Sequence, residues 1–134
     1  MPTSVLFLCT GNSARSILAE AYLNHAGRGR FRAHSAGSRP TGRVNPLALE
    51  TLRAHGIDPG GPKSKSWDAY ANGPAMDFVI TVCDSAAAEP CPAWPGRPAT
   101  EHWSIPDPAG PNTPEAFEAA FRDLKGRIDR LLER

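Results

Sequence analysis

Val5-Leu6-Phe7-Leu8 is an uninterrupted apolar run that passes, through the polar stretch Cys9-Thr10-Gly11-Asn12-Ser13-Ala14-Arg15-Ser16, into apolar residues recurring at helical spacing from Ile17 to Leu23. The run reads as a buried strand and the periodic segment as a helix. The alternation continues along the chain. Phe31 to Ser35, Asp77 to Val82 and Glu101 to Ile105 read as three further strands. Asn45-Pro46 looks like an N-cap with proline at the first helical position, opening a helix through Leu47, Leu49 and Leu52 to Gly56. Thr113-Pro114 repeats the device before a helix with Phe117, Ala120, Phe121, Leu124, Ile128 and Leu131 on one stripe. Strands alternating with helices predict an α/β fold, a four-stranded parallel sheet with helices on both faces. Ligands of such sheets bind beyond the carboxyl ends of the strands, which is where Cys9 falls.

The chain has 134 residues, 40% hydrophobic and 22% charged, which suits one domain over 1–134 with a single core. A net charge of +1 gives no electrostatic case for nucleic acid or membrane, and Arg28, Arg30 and Arg32 read as a solvated face. No apolar run has the length of a membrane span, and Met1 to Ser4 lack the features of a signal peptide. The expectation is a cytoplasmic monomer. Three cysteines in a reducing compartment argue against a structural disulfide framework and leave catalytic or redox use. They lack the close pairing of zinc ligands, so no metal and no cofactor is expected.

At a strand-to-helix turn, backbone N–H groups point inward, the helix N-terminus adds partial positive charge, and Arg15 offers a planar fork of donors. Thr10, Gly11, Asn12, Ser13, Ala14, Arg15 and Ser16 thus form a candidate oxyanion cradle around Cys9. The same field favours a thiolate, and a drop of about two units in thiol pKa raises the thiolate fraction more than tenfold. Ser16 is expected to donate to the sulfur, Asn12 to brace the loop through its amide, and Gly11 to take a backbone angle that other residues resist. Cys83 lies at the carboxyl end of the third predicted strand and Asp107 just past the fourth, so both can join Cys9 on the ligand-binding edge.

The octapeptide from Cys9 to Ser16 resembles the anion loop of the low-molecular-weight protein tyrosine phosphatases and of the arsenate reductases that share their fold. Members of the phosphatase branch commonly carry a second cysteine where this chain has Ala14. Thr81-Val82-Cys83, Cys91-Pro92, Glu101-His102-Trp103 and Asp107-Pro108-Ala109-Gly110 are similar to the thioredoxin-coupled arsenate reductases over nearly the whole chain. The resemblance implies a phosphatase-like fold and a three-cysteine relay. In that relay Cys9 attacks arsenate held by Arg15 and the loop amides, Asp107 protonates the departing hydroxyl, Cys83 attacks the Cys9 sulfur, and Cys91 resolves the disulfide. Thioredoxin is the implied reductant and glutaredoxin the alternative, with phosphate or sulfate as competing oxyanions. A fully helical Cys83-to-Cys91 stretch would hold the two Cα atoms about 12 Å apart, whereas a disulfide needs roughly 4.4–6.8 Å. Oxidation is therefore expected to unwind that segment.

A phosphatase would need only Cys9, Arg15 and Asp107, and a non-catalytic anion-binding or phosphoprotein-binding module would need no resolving cysteines. The chain departs from the family where some members place an aspartate that helps bind potassium together with residues matching Asn12, Glu20 and Ser35. The matching position here is Lys65, or Trp67 in a shifted register. A lysine ammonium there implies activity independent of potassium. His25 and His55 read as helix-end residues and His34 and His102 as strand residues, none with a catalytic role. Trp67, Trp94 and Trp103 read as packing or loop anchors.

Overall fold

The computed structural model describes residues 2–71, 73, 75–83 and 98–133. The elements are β1 (Thr3–Cys9), α1 (Arg15–Gly27), β2 (Phe31–Gly37), α2 (Pro46–Ala54), α3 (Asp68–Ala71), β3 (Phe78–Thr81), β4 (Ala99–His102) and α4 (Pro114–Leu132). The strands form one sheet in the order β2-β1-β3-β4, with every pair parallel, in agreement with the alternating pattern. Because β1 sits between β2 and β3, the chain leaves it first to one side and later returns on the other. The crevice at the carboxyl end of β1 is the switch point at which such sheets bind ligands.

Alternation along β1 assigns its side chains to two cores. Val5, Phe7 and Cys9 join Ile17, Leu18, Leu52, Phe117, Phe121, Leu124 and Ile128 beneath the three long helices. Leu6 and Leu8 face the other way, onto Ala36, Met76 and Val79, with Trp67 and the α3 residue Tyr70 packed against them. Each fully buried large apolar side chain contributes about 1.5–3 kcal/mol, so the face under α1, α2 and α4 carries most of the stabilisation. The predicted caps form: Asn45 Oδ1 accepts from Leu47 N at 2.9 Å, and Thr113 Oγ1 accepts from Ala116 N at 3.2 Å. No helix among the described residues is long and apolar enough to cross a membrane.

The strand and helix ends shift by a few residues from their reading, β3 spanning Phe78–Thr81 and α2 ending at Ala54, and three departures have identifiable causes. β2 runs on to Gly37 because β1 continues to Cys9, and the register pairs those two residues. β4 spans Ala99–His102 instead of Glu101 to Ile105, because β3 ends at Thr81, whose carbonyl takes the last ladder bond from Trp103 N at 2.8 Å. Trp103 and Ile105 are nonetheless buried, Trp103 lying 5.9 Å from Phe7 between ring centroids. The four-residue α3 has no extended apolar period to announce it in the sequence; Ser66 Oγ starts it by accepting from Asp68 N at 3.1 Å.

Candidate active site

Between β1 and α1 the main chain turns around the Cys9 sulfur, and the carbonyls of this turn are bonded outward. Thr10 O accepts from Arg39 N at 2.9 Å, Gly11 O from Thr41 N at 3.1 Å, and Ser13 O from Asn45 N at 2.8 Å. In a trans peptide the following N–H points the opposite way, so the amides of Gly11, Asn12 and Ala14 turn inward. Asn12 N donates to Cys9 Sγ at 3.2 Å. No side chain caps the start of α1, which leaves its first N–H groups to an oxyanion.

The left-handed backbone angle falls on Asn12, with φ 48°, and not on Gly11 as expected. Asparagine tolerates that region when its side chain finds local partners, and here both ends of the amide are used. Lys65 N donates to Asn12 Oδ1 at 2.8 Å, and Asn12 Nδ2 donates to Ser16 Oγ at 2.8 Å. The first bond fixes which end of the amide is oxygen, and the second occupies the Ser16 oxygen as acceptor. The Ser16 hydroxyl proton is left to point at Cys9 Sγ, 2.9 Å away. Gly11 is small for a different reason: a Cβ there would meet Thr41 Cγ2 at 3.2 Å.

Burial acts against this network. Cys9 is 3% exposed, and that burial pushes its thiol up from the ordinary value. Hydrogen bonds from the Ser16 side chain, the Ser16 backbone and Asn12 N pull it back, and neighbouring Cys83 adds a smaller upward push. The net direction is up, opposite to the lowered pKa expected from the loop field, because desolvation of a buried sulfur outweighs the neutral donors. Linkage fixes the sign. A raised thiol pKa gives stability that is present below the ordinary value and lost as pH rises through the folded-state value. Ser16→Ala removes a donor to the charged form, so it is expected to move the midpoint of Cys9 ionisation further up and to lower kcat/KM about tenfold. Titration of the ultraviolet thiolate absorbance against a Cys9→Ser reference checks the first, and an unchanged midpoint removes Ser16 from this role.

Around the sulfur stand the other expected groups. Cys83 is 3% exposed, and its Sγ lies 3.5 Å from Thr10 Oγ1. Both Cys9 and Cys83 are free thiols. Arg15 Nη1 donates to Ile105 O at 2.8 Å, and Arg15 Nη2 lies 3.8 Å from Asp107 Oδ1. Arg15 is 16% exposed and Asp107 is 55% exposed, so this ion pair contributes little to stability and the carboxyl faces the mouth of the site. Cys91, Trp94 and the expected unwinding of 83–91 lie outside the described residues.

Below the loop, Ser35 Oγ donates to Glu20 Oε1 at 2.6 Å. Burial pushes the Glu20 carboxyl up, with the Ser35 bond and the Lys65 charge opposing. Lys65 does not reach Asn12 with its ammonium: Nζ donates to Lys63 O at 3.0 Å, and its backbone N–H meets the amide. Tyr70 is pushed up to about 12 by burial and by Glu20. Among the described residues no cluster of three His, Cys, Asp or Glu side chains is placed to hold a metal ion. The histidines sit as read: His25 in the last turn of α1, His55 at the end of α2 against Glu118, His34 on β2 against Tyr70, and His102 at the end of β4.

Sequence reasoning missed the anchoring of the loop by distant segments. Ser64 Oγ donates to Gly11 O at 2.9 Å, and Lys65 N reaches Asn12 from 53 positions away. Neither has a local signal, since any residue at position 65 except proline supplies that N–H.

The sequence profile described as low molecular weight phosphotyrosine protein phosphatase matches residues 4–134. The chain belongs to that family. The arsenate reductase of Bacillus anthracis is 37% identical over 130 residues, 97% of this chain and 94% of that protein. A solved arsenate reductase in the phosphate-binding state aligns with TM-score 0.84 at 29% identity, over 98% of this chain and 97% of the other. A thioredoxin-dependent arsenate reductase of Corynebacterium glutamicum aligns with TM-score 0.75 at 26% identity, over 98% of this chain and 61% of the other.

Proposed function

We propose that this phosphatase-family chain is an arsenate reductase working by a thiol relay. The observation that carries the reading is a second buried thiol, Cys83, at hydrogen-bond distance from Thr10, the residue next to Cys9. A phosphatase has no use for it. Cys9 attacks the arsenic atom, Arg15 and the loop amides hold the oxygens, and Asp107 gives a proton to the departing hydroxyl, which leaves as water. Cys83 then attacks the Cys9 sulfur. The sulfur–arsenic electron pair stays on arsenic, so arsenic(V) becomes arsenic(III) and leaves as arsenite while the two sulfurs become a disulfide. Cys91 exchanges into that disulfide and frees Cys9. Thioredoxin reduces the resulting Cys83–Cys91 bond through an accessible sulfur. The relatives named as arsenate reductases support the substrate, and the Corynebacterium enzyme supports the reductant.

Arsenate-dependent NADPH oxidation, run in parallel with thioredoxin and its reductase and with glutaredoxin and glutathione, tests the reading. Turnover with thioredoxin is expected. Turnover with glutaredoxin alone reassigns the partner, and turnover with neither favours the second reading, a phosphatase using Cys9, Arg15 and Asp107, which the Arg15–Asp107 pair and the family both support. The Lys65 charge already acts on Glu20, so we also propose activity independent of potassium. Exchanging potassium for sodium at fixed ionic strength is expected to change the rate by less than about twofold; a large activation by potassium rejects this.

A further inference from the structure

The anion loop is wrapped by two outer segments. Residues 38–45 run along it as a strap, tied by Arg39 N, Thr41 N and Asn45 N to three of its carbonyls. The 63–65 segment is tied through Ser64 Oγ and Lys65 N, and the two segments join where Gly42 N donates to Ser64 Oγ at 3.1 Å. The strap carries Arg39 and Arg43, both exposed. Among the described residues neither guanidinium has a carboxylate within ion-pair distance. The cations of the 63–65 segment are balanced differently: Lys63 and Lys65 share a cleft with Glu20 and Asp58. Arg43 instead lines an open cleft of about 570 Å³ with Ser13 of the loop, Thr41, Val44, Asn45 and Pro46.

The strap holds both residues against the outer side of the loop, Arg39 through its main-chain bond to Thr10 O and Arg43 in the cleft beside Ser13, and two guanidinium groups without a carboxylate partner among the described residues raise the potential there without touching a bound ion. We propose that Arg39 and Arg43 form an outer cationic collar that draws divalent oxyanions into the loop, making charge a criterion of selection ahead of the shape read by the loop amides. The inference rests on the oxyanion-binding reading of the loop and not on the reductase step. Arg39 and Arg43 are specificity residues acting by field, since the hydrogen bonds that fix the strap come from its main chain and survive side-chain replacement. Two unit charges about 10 Å from a divalent anion favour its binding roughly tenfold when the Debye length is about 30 Å, and only about twofold when salt shortens it to about 8 Å.

The test uses the full chain and inorganic phosphate, whose occupation of the loop is read as protection of Cys9 from alkylation by iodoacetamide, with no turnover required. Arg39→Gln/Arg43→Gln is expected to weaken protection about tenfold at roughly 10 mM ionic strength and about twofold at roughly 150 mM. Arg28→Gln/Arg30→Gln removes the same formal charge at the far end of α1 and is expected to leave protection unchanged. An equal loss at both ionic strengths makes the strap structural and overturns the collar, as does no loss at either or an equal loss in the control pair. Failure of arsenate turnover in the coupled assay would leave this measurement standing, so the two readings fail separately.

Discussion

Cys83→Ser is expected to stop multiple-turnover arsenate reduction, lowering the steady-state rate by at least about a thousandfold, while hydrolysis of a small aryl phosphate stays within about twofold of the unaltered chain. Serine keeps the size of the side chain and the partnership with Thr10 Oγ1, so the fold and the anion loop are retained. What is lost is the second sulfur. A hydroxyl cannot attack the Cys9 sulfur and accept the disulfide linkage, so arsenic on Cys9 has no route to arsenic(III). Cys9→Ser separates the steps from the other side, since it removes the nucleophile common to both reactions and is expected to abolish both. The two variants together form a pattern that generic instability cannot imitate. Full turnover in Cys83→Ser would falsify the relay, and loss of both activities in it would make Cys83 a structural residue.

How much of this is legible in the sequence depends on the range over which each residue acts. The strand–loop–helix unit of Val5 to Leu23, the caps at Asn45 and Thr113, and the α4 stripe are local patterns, and each appears in the structure within a few residues of its reading. Cys9, Ser16, Arg15, Cys83 and Asp107 converge because the parallel topology brings the ends of β1 and β3 and the turn after β4 to one edge. The departures come from forces that sequence does not display. Asn12, not Gly11, takes the left-handed angle because two partners hold its side chain, one of them 53 residues on. The direction in which Cys9 shifts turns on depth of burial, which depends on how the β1 and α1 side chains pack together in the core that holds the sulfur. Position 65 draws attention for its ammonium, whereas the backbone N–H of Lys65 makes the bond to the loop.

Gly37→Ala carries the second large effect, and it concerns a residue that touches no substrate. Gly37 closes β2 opposite Cys9, and a Cβ on it would lie 2.4 Å from Thr10 O, 3.0 Å from Asn12 N and 3.0 Å from Cys9 O. All three are main-chain atoms of the anion loop, so no rotamer change relieves the overlap. Its backbone angle is not in the left-handed region, and the demand for glycine here is purely one of space. Thr10 O cannot retreat freely, being bound to Arg39 N, and Gly37 itself is held by Lys65 O and Trp67 N at 2.9 Å each. The strain must go into the loop, where it displaces the Asn12 amide from Cys9 and misaligns the oxyanion donors. Overpacking of this kind costs about 1–3 kcal/mol of stability, and a misplacement near 1 Å costs on the order of a hundredfold in rate. Gly60→Ala is the matched control. Gly60 has φ +75° and open space where a methyl would stand, with nothing within 4 Å, so that variant is expected to lose about 1 kcal/mol from backbone strain and no activity. If Gly37→Ala and Gly60→Ala lose the same stability and both keep full arsenate turnover, the loop is more compliant than its packing implies, and the rigidity of its donors is not what organises the site.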